Sequence, residues 1–285
     1  MSEAYERNIT QLRACKEQQT QEQGELKERM NKIKHKIAII SGKGGVGKST
    51  VTVNLATAFA MQGKRVGILD ADIHGPSVPR LLGVEDSQVK VSPVGAFPVE
   101  GPLGLKVMSI EFFLAEEAPA IWRGPLKMRA IKQFLAEVVW DELDYLFIDL
   151  PPGTGDEPLS IAQFLPDLDG VVIITMPTKL SSSIVKKAIT FAKKLNMPII
   201  GVVENMSGFV CPHCSKKTEI FGSGYGKKMS QETGVVFLGN VPMDPQVGAD
   251  SDKGLPFVYS NKETPTAKAF KEIVAKVQEF TENKK

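Results

Sequence analysis

A glycine-rich segment, Gly42–Ser49, constrains the fold of this chain more than any other feature. It reads GKGGVGKS and fits the pattern G-x-x-x-x-G-K-[ST]. A continuous apolar run, Lys36–Ser41, precedes it, and Ser49–Gln62 carries apolar side chains at helical spacing. Glycine lets a loop turn its backbone N–H groups inward around a phosphate, where a Cβ would block the approach. The segment therefore predicts a strand–loop–helix unit that binds a nucleotide phosphate.

Individual side chains of this loop have distinct predicted roles. Lys48 supplies a point charge to the β- and γ-phosphates, and Ser49 offers its hydroxyl to Mg²⁺. The N-terminus of the following helix adds partial positive charge that favours an anion. The candidate nucleotide-binding residues of the loop are Gly42, Lys43, Gly44, Gly45, Val46, Gly47, Lys48, Ser49 and Thr50.

Acidic residues at two further strand ends fit the same site. Asp149 ends the run YLFID, where a carboxylate can hold Mg²⁺ through water. Asp70 and Asp72 end the run RVGILDAD, and either of them is a candidate to orient an attacking water. The alternative for both is a surface carboxylate at a strand end. The turn Pro151–Gly153 is a candidate sensor of the γ-phosphate.

Apolar runs alternate with amphipathic stretches along residues 35–285. The runs are continuous, as in parallel strands that are buried on both faces. The predicted strands are Lys36–Ser41, Arg65–Asp70, Tyr145–Asp149, Gly170–Met176, Pro198–Glu204 and Val235–Val241. We therefore predict an α/β fold, a mostly parallel central sheet with helices on both faces. Residues 84–120 are rich in Pro and Gly and are expected to be an irregular excursion from it.

Residues 1–34 differ in composition from the rest of the chain. They are rich in Gln, Glu, Lys and Arg. Such mixed-sign charge favours a solvated helix or a flexible tail. A partner-docking arm is the alternative, with the single Cys15 as its only support. We divide the chain into this helical or flexible N-terminal extension, residues 1–34, and one domain, residues 35–285.

Composition and charge narrow the classes of function. Lys plus Arg number 35 and Asp plus Glu 33, so a globally basic nucleic-acid coat is excluded. No apolar run approaches the ~20 residues of a membrane span, and the N-terminus lacks the apolar stretch of a secretory signal. We expect a cytoplasmic protein with neither a membrane nor a nucleic acid as partner.

Two of the three cysteines, Cys211 and Cys214, stand together as CPHC. In a reducing compartment this spacing favours a metal or redox element over a structural disulfide. A [4Fe–4S] cluster or a tetrahedral zinc needs about four protein ligands, and His213 is expected to be a loop residue. A two-fold dimer in which each chain gives both cysteines meets that need most simply. Iron–sulfur, zinc and a redox dithiol all remain open from the residues alone.

Lys43 places a second lysine directly after the first glycine of the loop. This resembles the deviant Walker A motif of the MinD/ParA/ArsA class, in which the extra lysine reaches across a dimer interface to the partner's nucleotide. The likeness extends to Asp70–Arg80, Trp122–Leu135, Asp144–Asp156 and Glu204–Gly222. Together these segments resemble the Mrp/ApbC family of iron–sulfur cluster carrier ATPases over residues 35–285.

The resemblance implies a P-loop NTPase fold and a slow ATPase. It implies a homodimer that holds a transient [4Fe–4S] cluster at Cys211 and Cys214 and passes it to apo iron–sulfur proteins. The implied cofactors are ATP, Mg²⁺ and the cluster. Lys43, Lys48 and Asp72 become the candidate catalytic residues, with Asp72 positioning the attacking water.

The same resemblance assigns the remaining site residues. Asp149 matches the Walker B aspartate, and Pro151–Asp156 matches switch II. Asn205 matches the asparagine that reads the adenine edge, and Pro242 and Asp244 match the segment bordering the base. Since Cys15 is the only cysteine of the N-terminal segment, no N-terminal cluster is predicted.

Two other functions remain as alternatives. A MinD/ParA-like positioning ATPase would need an amphipathic anchor with a basic face, or a basic stripe for DNA. Thr264–Phe280 has an apolar stripe but also Glu272 and Glu279, and is predicted to face the core. The second alternative is a regulatory ATPase whose CPHC segment holds structural zinc.

Overall fold

The computed structural model describes residues 21–113, 124–153, 155–211, 214 and 216–283. The strands are β1 (Ile33–Ser41), β2 (Val66–Asp70), β3 (Lys90–Ser92), β4 (Gly95–Phe97), β5 (Val99–Glu100), β6 (Lys106–Ser109), β7 (Leu143–Asp149), β8 (Gly170–Thr175), β9 (Ile199–Glu204), β10 (Phe209–Val210), β11 (Lys217–Thr218) and β12 (Phe237–Asn240). The helices are α1 (residues 21–31), α2 (Lys48–Ala60), α3 (Val78–Leu81), α4 (Gly124–Ala136), α5 (Asp156–Phe164), α6 (Lys179–Lys194), α7 (Tyr225–Thr233), α8 (Pro245–Ser251), α9 (Phe257–Ser260) and α10 (Pro265–Asn283). Short 3-10 turns occur at Pro102–Gly104 and Ile110–Phe113.

An eight-stranded sheet forms the centre of the molecule, in the order β12–β9–β8–β1–β7–β2–β6–β5. Every neighbouring pair in it is parallel except β5 and β6. All six predicted strands lie in this sheet, which confirms the predicted mostly parallel α/β architecture. Because β1 pairs with both β7 and β8, the loop that follows β1 emerges at the middle of the sheet's carboxyl edge.

Helices cover both faces of the sheet, as the continuous apolar strands require. Successive side chains of β1 enter opposite layers, Ala38 and Ile40 in one and Ile37 and Ile39 in the other. The second layer also receives the α10 side chains Phe270, Ile273, Val274 and Val277, all at most 1% exposed. The prediction that the C-terminal helix faces the core is therefore confirmed. Within the described residues, none of the helices is both long and apolar enough to cross a bilayer.

The prediction of an irregular excursion over residues 84–120 was wrong for its central part. Lys106–Ser109 forms β6, which joins the central sheet through pairs from Gly67–Lys106 to Asp70–Ser109. This strand has only four residues and follows a turn that contains Pro102 and Gly104. The pattern of the buried strand β6 was therefore not recognised among the surrounding turn residues.

The predicted N-terminal helix is present as α1, and it packs against the domain. Leu26 and Met30 are 8% and 1% exposed and belong to one of the two core layers. Lys36 Nζ donates to the carbonyl of Met30 at 3.2 Å and pairs with Asp167 at 2.9 Å, which fixes the end of the helix. Residues 1–20, with Cys15, lie outside the described residues. The domain division at residue 34 stays a prediction.

Candidate functional site

The carboxyl edge of the parallel sheet carries the candidate nucleotide site. Asp70 and Asp149 pair directly in the register of β2 and β7, and both end their strands. Gly47 precedes α2 with φ 76°, a conformation that favours glycine. A Cβ on Gly47 would lie 2.3 Å from Nδ2 of Asn205. The loop thus needs glycine both for its turn and for its close approach to Asn205, the residue that follows β9.

A cavity of about 270 Å³ opens over this loop. It is lined by Ser41, Lys43, Gly44, Gly45, Val46, Gly47, Lys48, Ser49, Thr50, Asp72, Ser77, Leu81 and Pro152. The loop amides and the start of α2 give this cavity the character of an anion site. Gly42 lies outside it, where a Cβ would meet Ile184 Cγ2 of α6 at 2.4 Å.

Asp149 is the centre of a buried hydrogen-bond network. Its Oδ2 accepts from Lys48 Nζ and Ser49 Oγ, both at 2.5 Å, and its Oδ1 accepts from Thr52 Oγ1 at 2.6 Å. The carboxylate is completely buried. Thr52 had no role in the sequence prediction, although it stands four residues after Lys48 on the same helix face.

This oxygen-rich arrangement fits the cation that the loop pattern implies. Mg²⁺ prefers hydroxyl, carboxylate and water oxygens and keeps several waters. The Ser49 hydroxyl donates its proton to Asp149 and accepts from Lys48 Nζ at 3.2 Å, which leaves one lone pair of its oxygen for a metal. Since Asp149 already receives three donors, contact between this carboxylate and Mg²⁺ through water suits the geometry better than direct ligation.

The two candidate water-positioning aspartates have different surroundings. Asp70 is completely buried and accepts backbone N–H bonds from Asp72, Ser77 and Val78 at 3.1–3.2 Å. Burial and the nearby charge of Asp149 raise the pKa of Asp70 to about 7. Asp70 therefore organises the loop that follows β2 and does not face the cavity.

Asp72 lines the cavity and is only partly buried. Burial raises the pKa of Asp72, and the charge of Lys48 opposes that shift. A carboxylate with a raised pKa at the cavity wall suits the orientation of a water molecule. The geometry thus favours Asp72 over Asp70 for that role, and the role itself stays a prediction.

The predicted base-binding residues are not brought together at the cavity. Asn205 Nδ2 donates to the carbonyl of Val46 at 2.9 Å, so its amide contacts the phosphate loop. Asp244 caps α8 by accepting from the N–H of Gln246 at 3.0 Å, and neither it nor Pro242 lines the cavity. Their contacts with a base stay predictions.

Cys211 and Cys214 lie between the two strands of a small antiparallel hairpin. β10 and β11 pair through Phe209–Thr218 and Val210–Lys217. The N–H of Cys211 donates to the carbonyl of Lys216 at 3.0 Å across the tip. Cys211 is partly buried and Cys214 is exposed, while His213 lies outside the described residues, as does residue 154 of the predicted switch II.

Cys211 and Cys214 do not form a complete metal site with the other residues that the structure describes. Among the described residues, no group of three or more His, Cys, Asp or Glu side chains is placed to hold a metal ion. The hairpin follows β9, so it rises from the same carboxyl edge as the phosphate loop. One edge of the sheet thus carries both the candidate nucleotide site and the pair of thiols.

The parallel sheet, the phosphate loop and its buried aspartate define a P-loop NTPase of the ParA type. A family model described as ParA, NUBPL iron-transfer P-loop NTPase, matches residues 32–278, and the chain belongs to this family. It is 54% identical over 266 residues to the iron-sulfur cluster carrier protein of Methanocaldococcus jannaschii, covering 93% of this chain and 91% of that protein. It is 53% identical over 256 residues to the iron-sulfur cluster carrier protein of Saccharolobus solfataricus, covering 90% and 86%.

Solved structures agree with this assignment. A nucleotide-binding protein from Archaeoglobus fulgidus, in complex with ADP and with Co, is 44% identical and superimposes with a TM-score of 0.75 over 86% of this chain and 94% of that one. The cell division ATPase MinD of Pyrococcus furiosus is 23% identical, with a TM-score of 0.65 over 86% and 99%, which shows the fold alone. The predicted resemblance to cluster-carrier ATPases of the MinD/ParA class is confirmed.

Proposed function

We propose that this chain binds and hydrolyses ATP and carries an iron–sulfur cluster to apo-proteins. A homodimer holds the cluster, a [4Fe–4S] cluster, between Cys211 and Cys214 of both subunits. The observation that carries the proposal is the pair of thiols at a hairpin tip on the sheet edge that also bears the phosphate loop.

The nucleotide half of the proposal rests on the network around Asp149. Lys48 and Ser49 are held by this carboxylate at the mouth of the loop, ready for the phosphates and for Mg²⁺. When bound, Mg²⁺ neutralises charge on the phosphate oxygens. Asp72 orients the attacking water from the cavity wall, and Lys43 reaches the nucleotide of the partner subunit.

The cluster half rests on counting ligands. A [4Fe–4S] cluster takes about four thiolates, and two chains that each contribute Cys211 and Cys214 supply them. Val210, Ile220 and Phe221 expose 40%, 53% and 42% of their surfaces beside the hairpin. Three exposed apolar side chains within this short segment suit a protein interface there. A cluster shared between two surface loops is labile, which suits transfer.

The names of the relatives support a carrier over a positioning ATPase. At about half identity and nearly full coverage, these relatives are named for iron–sulfur cluster carriage. The helix α10 does not support a membrane-positioning role, because the apolar face of this helix is buried in the core. The cytoplasmic location expected from the sequence stays a prediction.

Anaerobic reconstitution with iron and sulfide tests the cluster site. We expect the double variant Cys211→Ala/Cys214→Ala to lose nearly all cluster uptake and to keep its affinity for ADP. Cys15→Ala removes the remaining cysteine and serves as the matched control, with uptake equal to that of the parent. Equal uptake by the parent and the double variant would refute the site.

Metal analysis of protein purified without oxygen separates this function from a structural zinc site. The proposal expects iron with acid-labile sulfide in the native protein. Stoichiometric zinc with no sulfide would favour the regulatory alternative instead.

A further inference from the structure

Glu204 is a buried acidic residue at the end of β9 that the nucleotide site does not use. It is completely buried. Its Oε1 accepts from Ser207 Oγ at 2.7 Å and from the N–H of Gly224 at 3.1 Å, and its Oε2 accepts from the N–H of Gly226 at 2.5 Å. A buried carboxylate is stable only when donors replace its lost hydration, and here three donors do so.

These three donors lie on the two sides of the cysteine hairpin. Ser207 precedes β10, and Gly224 and Gly226 follow β11 at the start of α7. The chain between Ser207 and Gly224 includes both Cys211 and Cys214. One carboxylate therefore closes the base of the loop that carries the thiols.

The backbone around Glu204 is built for this close approach. Gly224 has φ 76°, and a Cβ on Gly226 would lie 3.0 Å from the Cβ of Glu204. The first strand of the hairpin is fixed from a second side, because the N–H of Met243 donates to the carbonyl of Gly208 at 2.8 Å. The segment before the first strand and the segment after the second strand are thus both anchored.

The next residue connects the same strand end to the nucleotide loop. Asn205 Nδ2 donates to the carbonyl of Val46 at 2.9 Å, and its own N–H donates to the carbonyl of Thr175 at 2.8 Å. Glu204 holds the hairpin and Asn205 holds the loop. Two adjacent residues of one backbone therefore contact both sites.

We propose that Glu204 is a positioning residue for the cluster-binding cysteines and that the pair Glu204–Asn205 couples the hairpin to the nucleotide loop. The cluster part of this proposal rests on the proposed function. The structural part does not, because the contacts of Glu204 exist in the protein without a cluster.

Amide hydrogen exchange on the full chain without cluster tests the structural part. In Glu204→Gln one carboxylate oxygen becomes an NH₂ group that faces backbone donors. We expect the amides of Gly224 and Gly226 to exchange at least about tenfold faster, the effect of a lost charge-assisted hydrogen bond. The control is Asp169→Asn, a carboxylate that accepts from the N–H of Lys36 at the opposite edge of the sheet. Unchanged exchange at both glycines would overturn the role of Glu204.

ADP tests the coupling in the same experiment. We expect ADP to slow exchange in residues 207–226 of the parent, and this effect to vanish in Glu204→Gln although the variant still binds ADP. An identical ADP effect in both proteins, or none in the parent, would refute the coupling.

Reconstituted protein tests the positioning of the thiols. We expect the Glu204→Gln cluster to be lost to an iron chelator at least about tenfold faster, with an altered visible absorption spectrum. Glu204→Asp keeps the carboxylate and should restore part of the cluster lifetime.

Should Glu204→Gln fail to fold, Ser207→Ala removes a single donor and must shorten the cluster lifetime by a smaller factor. If the parent protein takes up no cluster, the proposed function is refuted. If the cluster lifetimes of the parent and the variants are equal, only the role of Glu204 is refuted.

Discussion

The phosphate loop and the cysteine hairpin share one edge of the sheet, yet their construction differs. At the loop, Asp149 is completely buried and accepts three hydrogen bonds from side chains of its own chain. At the hairpin, two strands of two residues each support Cys211 and Cys214, the second of them exposed. The loop is organised without a ligand, whereas the hairpin presents two thiols on a short support.

This difference indicates which site depends on a partner. A site whose charges are already paired before the ligand binds needs little electrostatic reorganisation. A pair of thiols satisfies a cluster only when more donors arrive. The phosphate loop is therefore organised within one subunit, whereas under the proposed function the cluster site needs a second subunit. The variants below test that contrast.

Lys48→Ala has the largest expected effect on the loop. It removes the partner of a buried carboxylate, so we expect a loss of about 3–5 kcal/mol of unfolding free energy and no measurable ATP turnover. Denaturant titration and a phosphate-release assay check both. Lys43→Ala is the matched control, since this partly exposed lysine of the same loop should change stability by less than about 0.5 kcal/mol. Unchanged turnover in Lys48→Ala would contradict the loop assignment.

Asp72→Asn separates chemistry from binding at the same site. The variant keeps the shape of the side chain and loses its negative charge, so we expect turnover to fall by about 10²–10⁴-fold. ADP affinity, measured by calorimetry, should stay near that of the parent. Asp72 lies in the cavity wall and is not part of the phosphate loop. Full turnover in the variant would show that a residue other than Asp72 positions the attacking water.

Asp70→Asn tests whether burial raises the pKa of Asp70 in the folded protein. The pKa of Asp70 is about 7 in the folded protein and about 3.9 in the unfolded chain, so between these values the folded state holds the proton more tightly. Stability of the parent should therefore fall as pH rises from about 4 to 7, by at most about 1.4 kcal/mol per pH unit from this group.

The Asp70→Asn variant lacks this titration, so its stability relative to the parent should increase with pH across that window. Altered hydrogen bonds add only a constant offset. Urea titrations at several pH values check the slope. Parallel curves for parent and variant would show that Asp70 titrates normally.

Thr52→Val has the smallest expected effect and sharpens the account of Asp149. The substitution removes one of three donors to a buried carboxylate, for about 1.5 kcal/mol of lost stability. Thr57→Val on the same helix is the matched control. Thr57 is buried, and its hydroxyl has no hydrogen-bond partner in the part of the chain that the structure describes. The control should be neutral or stabilising, and equal losses in both variants would reduce the role of Thr52 to packing.

Continuous apolar strands and the glycine loop made six of the eight strands of the central sheet predictable, because both signals are local in sequence. The short strands β5 and β6 lie among turn residues and were not predicted. Three further features were not predictable either. The burial of α1 and the role of Thr52 depend on contacts with segments far along the chain, Thr52 and Asp149 being 97 residues apart. Glu204 reads as a polar end to an apolar run, and only the folded structure brings Ser207, Gly224 and Gly226 around it.

The choice between Asp70 and Asp72 shows the same limit at the candidate site. Both carboxylates follow one strand, and their spacing alone leaves the water-positioning role open. Burial separates them, since Asp70 binds backbone N–H groups inside the protein and Asp72 lines the cavity.

The central claim is that two subunits share one cluster through Cys211 and Cys214 of each. Sedimentation equilibrium without oxygen, combined with iron and sulfide analysis, tests this claim most directly. The account predicts that protein reconstituted with iron and sulfide sediments as a dimer with about four iron and four sulfide per two chains. A monomer that carries the same complement of iron and sulfide on its own two thiols would contradict it.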